Sequence, residues 1–128
     1  MTSDQPASPD RRWPSSVYRR GSEPDPRFTF ANERTFLAWV RTALGLLTAG
    51  VAVVALAGLQ SELSGEAHVA SLILIVAGVG CAVSAFLRWA RNERALRENR
   101  PLPSSLAMPV LVGLLVVVGL IALFVLLP

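Results

Sequence analysis

The sequence predicts an all-helical integral membrane protein with three transmembrane helices, on the evidence of its composition and of three long apolar stretches. Apolar residues make up 52% of the 128 residues and the mean hydropathy is +0.49, which leaves too little polar surface for an ordinary soluble domain. The apolar stretches cover about residues 35–59, 69–88 and 105–127. Each approaches the ~20 residues that a helix needs to cross ~30 Å of hydrocarbon.

The segment before the first apolar stretch differs sharply from the rest of the chain. Residues 1–26 are rich in proline, serine and charge, and they contain no apolar segment of the kind that a secretory signal requires. They also offer little from which a core could form. The sequence therefore predicts a disordered cytoplasmic tail at 1–26 and a three-helix transmembrane domain at 27–128.

The basic residues are all arginines, and they form two groups that flank the apolar stretches. Seven lie from Arg11 to Arg41 and five from Arg88 to Arg100, whereas the connection at 60–68 carries none. The positive-inside rule therefore predicts a cytoplasmic N-terminus and an external C-terminus in a bacterial inner membrane. Topology and attraction to anionic lipid account for such a basic face. Bidentate binding of phosphate by guanidinium groups is the alternative explanation.

Two arginines lie at the start of the first apolar stretch, where charge is costly. An arginine at the centre of a membrane helix costs about 2.5–3.5 kcal/mol. On a helix these two arginines share one polar or small face, which comprises Arg34, Ala38, Arg41, Gly45, Thr48 and Ala52. Two interpretations stay open: either the arginines snorkel to the interface from a packing face, or several copies turn this face inward and form an anion-selective constriction.

Small residues predict where helices pack closely, because they let two backbones approach each other. The candidates are Gly45, Thr48 and Ala52 in the first stretch and Gly78, Cys81 and Ala82 in the second. The third stretch consists mainly of valine, leucine and isoleucine, so we expect it to be the most lipid-facing helix.

Catalysis is not predicted by any group of residues. The sequence contains no recognisable nucleophile, base and orienting group, no glycine-rich phosphate loop and no metal-ligand spacing. We therefore expect no enzyme, no cofactor, no metal and no nucleic-acid partner. The segment at 91–99 offers the (i, i+4) pairs Glu93 with Arg97 and Arg94 with Glu98, which suit a short solvated helix. The simpler interpretation is a cytoplasmic extension of the second span, which Pro101 and Pro103 then end.

The stretch FANERTFLAWV at 30–40 resembles the signature of the domain-of-unknown-function family 202. This family includes bacterial YidH-like proteins and the membrane domain of the vacuolar transporter chaperone complex, and the resemblance covers about residues 26–127. It implies a homo-oligomer, a pentamer in the eukaryotic complex, in which basic residues line a path for polyphosphate. The chain lacks the length for the soluble domains of the synthesising members, so it is not expected to be a polymerase.

The resemblance also implies which residues bind anions. Arg34 matches the signature arginine, Arg27 matches a second basic position, and Arg88 or Arg91 matches a third. Glu33 matches the acidic residue of the signature, and we expect it to pair with an arginine of its own or of a neighbouring helix. Arg41 is a candidate through its facing on the helix.

The sequence thus leads to two hypotheses about function. In the first, the chain forms a small homo-oligomer in the lipid bilayer whose basic cytoplasmic mouth interacts with anions, polyphosphate among them, and forms a conduit. In the alternative, it is a non-conducting scaffold or accessory subunit that binds anionic lipid or a partner protein.

Overall fold

Four helices make up the described part of the protein. The computed structural model describes residues 10–59 and 64–126, and these ranges contain no strand. The helices are α1 (Ser15–Tyr18), α2 (Pro26–Ala57), α3 (Ser64–Arg97) and α4 (Ala107–Leu126). The all-helical prediction is therefore confirmed for these ranges. Residues 1–9 of the predicted tail, 60–63 of the predicted outer connection and 127–128 at the C-terminus lie outside the described residues.

Helix α2 begins well before the predicted span, because an aspartate and a proline form its N-terminus. The Asp25 carboxylate accepts a hydrogen bond from the backbone N–H of Arg27 at 2.9 Å. Pro26 follows at the first helical position, where its missing N–H costs nothing and its fixed φ suits a helix. The two arginine positions predicted from the family resemblance, Arg27 and Arg34, therefore lie on the same helix as the apolar stretch.

Helix α3 joins the predicted second span and the predicted charged helix into one continuous element. It ends at Arg97, and Asn99 then adopts a positive φ of 52°. The backbone N–H of Arg100 donates to the carbonyl of Ala95 at 2.9 Å, which is typical of a left-handed helix terminus. Pro101 prevents further helix.

Two helices have the length and apolar character of membrane spans. These are Pro26–Ala57 and Gly65–Arg97, and only 22% of the most apolar window of each is buried within the chain. The core helix of a soluble protein would be mostly covered. Helix α4 provides a shorter apolar stretch in the described residues, Ala107–Leu120, so the third crossing stays a prediction.

Helices α2 and α3 form a closely packed antiparallel hairpin. A Cβ atom on Gly50 would lie 2.7 Å from Ile75, and one on Gly78 would lie 2.7 Å from Leu47, so each site requires glycine for the approach. The Ser71 hydroxyl also donates to the carbonyl of Gly50 at 2.7 Å. A small core of Ala43, Leu46 and Cys81 lies next to the Gly78 contact, on the side away from Gly50.

Helix α4 packs on this hairpin through few side chains. Leu111 contacts the core of Ala43, Leu46 and Cys81, whereas Val110, Val112 and Leu120 are each at least 60% exposed. This exposure agrees with the expectation that the third apolar helix is the most lipid-facing.

The segment before α2 differs from the predicted disorder, because residues 10–25 lie against α3. The backbone N–H of Ser22 donates to the carbonyl of Arg97 at 3.0 Å. Gly21 adopts a φ of +62°, and a Cβ there would overlap the same carbonyl. Trp13 stacks on Phe86, with ring centroids 6.0 Å apart. The composition of the segment predicted disorder because it offers no apolar core of its own. The contacts seen here are made with α3, which the composition of the segment cannot show.

Candidate functional site

Helix α2 presents two faces of different character. One face packs against α3 and includes Asn32, Ala43, Leu46 and Gly50, all buried. The other face is exposed along its whole length in the chain and consists of Arg34, Ala38, Arg41, Gly45, Thr48 and Ala52. We call this second set the outward face. A Cβ atom on Gly45 would meet nothing within 4 Å, so this face is open to a partner from outside the chain.

The predicted anion-binding arginines of α2 are not used within the chain. Arg27, Arg34 and Arg41 are exposed, and none of them forms an ion pair with another described residue. Glu33 is also exposed and likewise has no ion pair in the described ranges. Its role as a charge partner therefore stays a prediction that concerns a neighbouring copy.

The predicted packing residues divide between the two helices. Gly78 and Cys81 are buried and Ala82 is half-buried; Cys81 also places its Sγ 3.7 Å from the carbonyl oxygen of Trp39. All three contribute to the hairpin. The α2 residues Gly45 and Thr48 do not, since both belong to the outward face, as does Ala52.

Sequence reasoning missed a buried polar network that joins α2 to α3 near the arginines. The Asn32 side-chain amide donates to the carbonyl of Trp89 at 3.1 Å and to the Glu93 carboxylate at 3.3 Å. The Asn92 amide donates to the Asn32 side-chain oxygen at 3.2 Å, and the Thr29 hydroxyl donates to Glu93 at 3.2 Å. Since buried polar groups require partners, these bonds fix the register of the two helices.

Glu93 and Arg97 form a buried pair, not the solvated pair that the sequence predicted. The Glu93 side chain is 0% exposed and that of Arg97 3% exposed, with Arg97 Nε 3.6 Å from a Glu93 carboxylate oxygen. Breaking such a pair by removing one partner is strongly destabilising, because the other charge stays buried. The second predicted pair is replaced, since Glu98 instead pairs with Arg20 at 3.8 Å and with Arg100 at 3.2 Å.

The N-terminal segment extends this network to the surface. Arg97 Nη2 lies 3.3 Å from Glu23, and Arg12 bridges Glu23 at 2.8 Å and Asp10 at 2.7 Å. The guanidinium carbons of Arg12 and Arg97 lie 4.6 Å and 4.7 Å from the centroid of the Tyr18 ring. Two cations therefore approach the ring of Tyr18, a geometry that favours cation–π attraction.

These contacts shift the pKa values of the segment's ionisable groups. Hydrogen bonds from Arg12 lower the pKa of Asp10 to about 2, and they also lower the pKa of Glu23. Burial raises the pKa of the Tyr18 hydroxyl. At neutral pH, a carboxylate whose pKa is lowered by a hydrogen bond stabilises the conformation in which that bond is formed.

The remaining two predicted arginines, on α3, line a cleft beside the segment that leads into α4. Arg88 and Arg91 form this cleft of about 300 Å³ with Asn92, Ser104 and Ser105. The Arg88 guanidinium carbon lies 5.2 Å from the centroid of the Trp39 ring. The structure therefore separates the five arginines into three on α2 and two at this cleft.

Metal binding has no support in the described part of the chain, where no group of three or more histidine, cysteine, aspartate or glutamate side chains could hold an ion.

The polar network between α2 and α3 had a weak signal in the sequence. Thr29 and Asn32 are three residues apart and so share a helical face. What the sequence did not show is that Glu93 lies opposite them.

A model of the family described as "Domain of unknown function (DUF202)" matches residues 27–95, more than half of the chain. The chain belongs to the DUF202 family. The match covers α2 and most of α3, and it therefore includes both the outward face and the buried network. It confirms the resemblance identified from the stretch at 30–40.

The relatives are membrane or uncharacterised proteins. Inner membrane protein YidH of Escherichia coli K12 is 47% identical over 87 residues, which are 68% of this chain and 75% of that protein. An uncharacterised protein of Mycobacterium tuberculosis H37Rv is 48% identical over 81 residues, which are 63% of this chain and 66% of that protein. The matched region is thus slightly less than two thirds of the mycobacterial relative. No solved structure matches the chain.

Proposed function

We propose that this DUF202 protein is a homo-oligomer of the bacterial inner membrane that binds phosphate-rich anions at its cytoplasmic mouth and conducts them along a shared axis. The observation that carries the proposal is the outward face of α2. Its arginines are exposed and have no ion pair in the described residues, while the opposite face of the same helix is occupied by α3.

Assembly would give the outward face a partner. Small side chains such as Gly45 and Ala52 permit close approach between copies, and a closed ring requires a rotational repeat of the same surface. Arg34 and Arg41 are seven residues apart, so two turns of helix would place two rings of guanidinium groups about 10 Å apart along the axis. Such rings select anions, and polyphosphate is the cargo that the family resemblance suggests.

The proposed topology has three crossings, with the N-terminus in the cytoplasm and the C-terminus outside. The 20 residues of α4 would span ~30 Å at 1.5 Å per residue. The positive-inside rule supports the orientation. Aromatic residues support a membrane interface at this end of the hairpin, since Trp89 lies near Phe36 and Phe86 at ring-centroid distances of 6.3 Å and 5.7 Å and such side chains are enriched at both membrane–water interfaces.

Cysteine cross-linking tests the assembly. In a Cys81→Ala background, Gly45→Cys is expected to form disulfide-linked dimers in oxidised membranes, because the outward faces meet. Val79→Cys serves as the control, since Val79 follows Gly78 on α3 and is 53% exposed. Equal cross-linking at both positions, or none at Gly45, would contradict the assembly.

Vesicle flux tests conduction. The wild-type protein reconstituted in vesicles is expected to pass polyphosphate, and Arg34→Ala with Arg41→Ala is expected to reduce the flux at least about tenfold, since each lost charge-assisted contact is worth about 1.5–3 kcal/mol. Arg11→Ala with Arg19→Ala removes the same charge from the N-terminal segment and should leave the flux unchanged.

The two tests together separate conduit from scaffold. A confirmed oligomer that passes neither polyphosphate nor a smaller anion would support the alternative of a non-conducting scaffold, which holds anionic lipid or a partner protein with the same arginines. In neither case do we assign a catalytic residue or a cofactor.

A further inference from the structure

The cleft between α3 and the segment that leads into α4 continues into an apolar groove. The cleft of about 300 Å³ is lined by polar side chains that include Arg88, Arg91 and Ser105. The groove of about 220 Å³ is lined by apolar or small residues of α2, α3 and α4. Ser84 and Ala107 line both volumes, so the two adjoin on the surface of the bundle. We call the cleft and the groove together the channel.

Arg88 supplies the first reason to expect an anion in the cleft. Its Nη1 atom is buried and has no hydrogen-bond partner among the described residues. A buried donor without an acceptor is destabilising, and more so when it is charged. The ring of Trp39, 5.2 Å away, attracts the cation but accepts no conventional hydrogen bond. An oxyanion in the cleft would meet this need.

The surroundings of the cleft make its charge strongly positive. Arg91 is exposed and forms no ion pair with a described residue. The nearest acid along the helix, Glu93, is fully buried and bonded to Thr29 and Asn32 of α2. Two guanidinium groups therefore face one polar cleft, together with the hydroxyls of Ser104 and Ser105, which can also donate to phosphate oxygens.

A free phosphate would fill the polar cleft and leave the apolar groove empty. Gly80 lines the groove, and a Cβ there would meet nothing within 4 Å. Cys81, Leu111 and Leu114 provide the apolar walls. An occupant that matches both parts must carry a negatively charged phosphate at one end and a hydrocarbon chain at the other.

We propose that this channel binds one anionic glycerophospholipid, with its phosphate between Arg88 and Arg91 and an acyl chain in the groove between α3 and α4. The bound lipid would stabilise the packing of α4 on the hairpin, which α4 otherwise contacts through few side chains. The site is distinct from the outward face of α2, so it does not depend on oligomeric conduction.

Native mass spectrometry of the full chain, released from micelles that contain phosphatidylglycerol, tests the headgroup contact. Wild-type protein is expected to retain one phosphatidylglycerol in preference to phosphatidylcholine. Arg88→Gln with Arg91→Gln should reduce this retention at least about tenfold, because it removes both charge-assisted contacts to the phosphate. Arg11→Gln with Arg19→Gln is the control of equal charge. Undiminished retention in the first double variant would overturn the proposal.

A substitution in the groove tests the acyl chain without changing the arginines. Gly80→Leu would fill the groove and should abolish the retention of phosphatidylglycerol, whereas Gly113→Leu on α4 should not, since Gly80 lines the groove and Gly113 lines neither the groove nor the cleft. This arm stays informative if the arginine variants fail to fold. Retention by Gly80→Leu equal to the wild type would overturn the proposal.

Competition distinguishes a lipid from a soluble anion. Inorganic phosphate and glycerol phosphate carry the headgroup chemistry without the chain, and neither should displace the bound lipid at equal concentration. Displacement by either compound would show a site for a soluble anion and overturn the lipid proposal.

Discussion

The two faces of α2 differ in where their polar groups find partners. The face toward α3 buries Asn32, whose amide group is bonded to Trp89, Asn92 and Glu93. The outward face exposes Arg34, which has no ion pair in the described residues. The two residues are two positions apart in the signature of the family. The family signature therefore contains one residue that is buried in the hairpin and one that is exposed.

The largest expected effect is on the hairpin side of this comparison. Glu93→Ala removes the acceptor for Thr29 and Asn32 and the buried partner of Arg97, whose remaining ion pair is with the exposed Glu23. We expect a loss of about 3–5 kcal/mol in the free energy of unfolding, measured by denaturant titration in detergent. Glu33→Ala, which removes an exposed carboxylate, should change it by less than about 0.5 kcal/mol. Similar losses in both variants would contradict the buried pair.

Close helix approach provides the next largest effect. Gly78→Ala introduces a methyl group 2.7 Å from Leu47 and 3.1 Å from the carbonyl oxygen of Ala43, so we expect a cost of about 1–3 kcal/mol in hairpin stability. Gly45→Ala should not lower the stability of the single chain, since alanine is also the better helix former. Unfolding in detergent measures both variants. A neutral Gly78→Ala would mean that the helices lie further apart.

The signature itself allows a sharper comparison. Asn32→Ala removes the acceptor of the Asn92 amide and one hydrogen-bond donor to the buried Glu93 carboxylate, and it should cost about 1–2 kcal/mol in stability. Arg34→Ala should leave stability unchanged within about 0.5 kcal/mol, while it lowers anion flux. If Arg34→Ala destabilised the isolated chain as much as Asn32→Ala, the division between the two faces would be lost.

Acid is expected to have the smallest effect, confined to the N-terminal segment. Asp10 and Glu23 have lowered pKa values when the segment is docked, so their contribution is present above their ordinary values, 3.8 and 4.5. It is lost as the pH falls towards about 2, the pKa of docked Asp10. Protease cleavage of the segment should increase over that range, and Asp10→Asn with Glu23→Gln should raise cleavage at neutral pH.

A segment that stayed equally protected down to pH 2 would show that Trp13 and Tyr18, not the ion pairs, hold it on α3. The control is Trp13→Ala, which removes the stacking on Phe86 and keeps both carboxylates.

Much of the fold could be predicted from the sequence, because hydrophobic length and helical period are local properties. The second apolar stretch at 69–88 lies within α3 as expected. The outward face from Arg34 to Ala52 was also a local prediction, since residues at steps of three and four must share one side of a helix. The buried network was missed because Asn32 and Glu93 are 61 residues apart.

The contacts of the N-terminal segment could not be predicted from the sequence either, because they join residues that are distant along the chain. Its composition indicated disorder, and no property within 1–26 shows that Arg12 bridges Asp10 and Glu23 or that Glu23 also meets Arg97. Those contacts need the C-terminal end of α3 as a template.

The sequence by itself determined the helical class, the apolar stretches, the distribution of arginines and the family. The tertiary structure decided which polar residues are buried between helices, that Arg88 and Arg91 share one cleft with the segment before α4, and that the arginines of α2 point away from α3. The physical reason is range. Backbone hydrogen bonding and helical period act within a few residues, whereas the burial and pairing of a charged side chain depend on whichever distant segment packs against it.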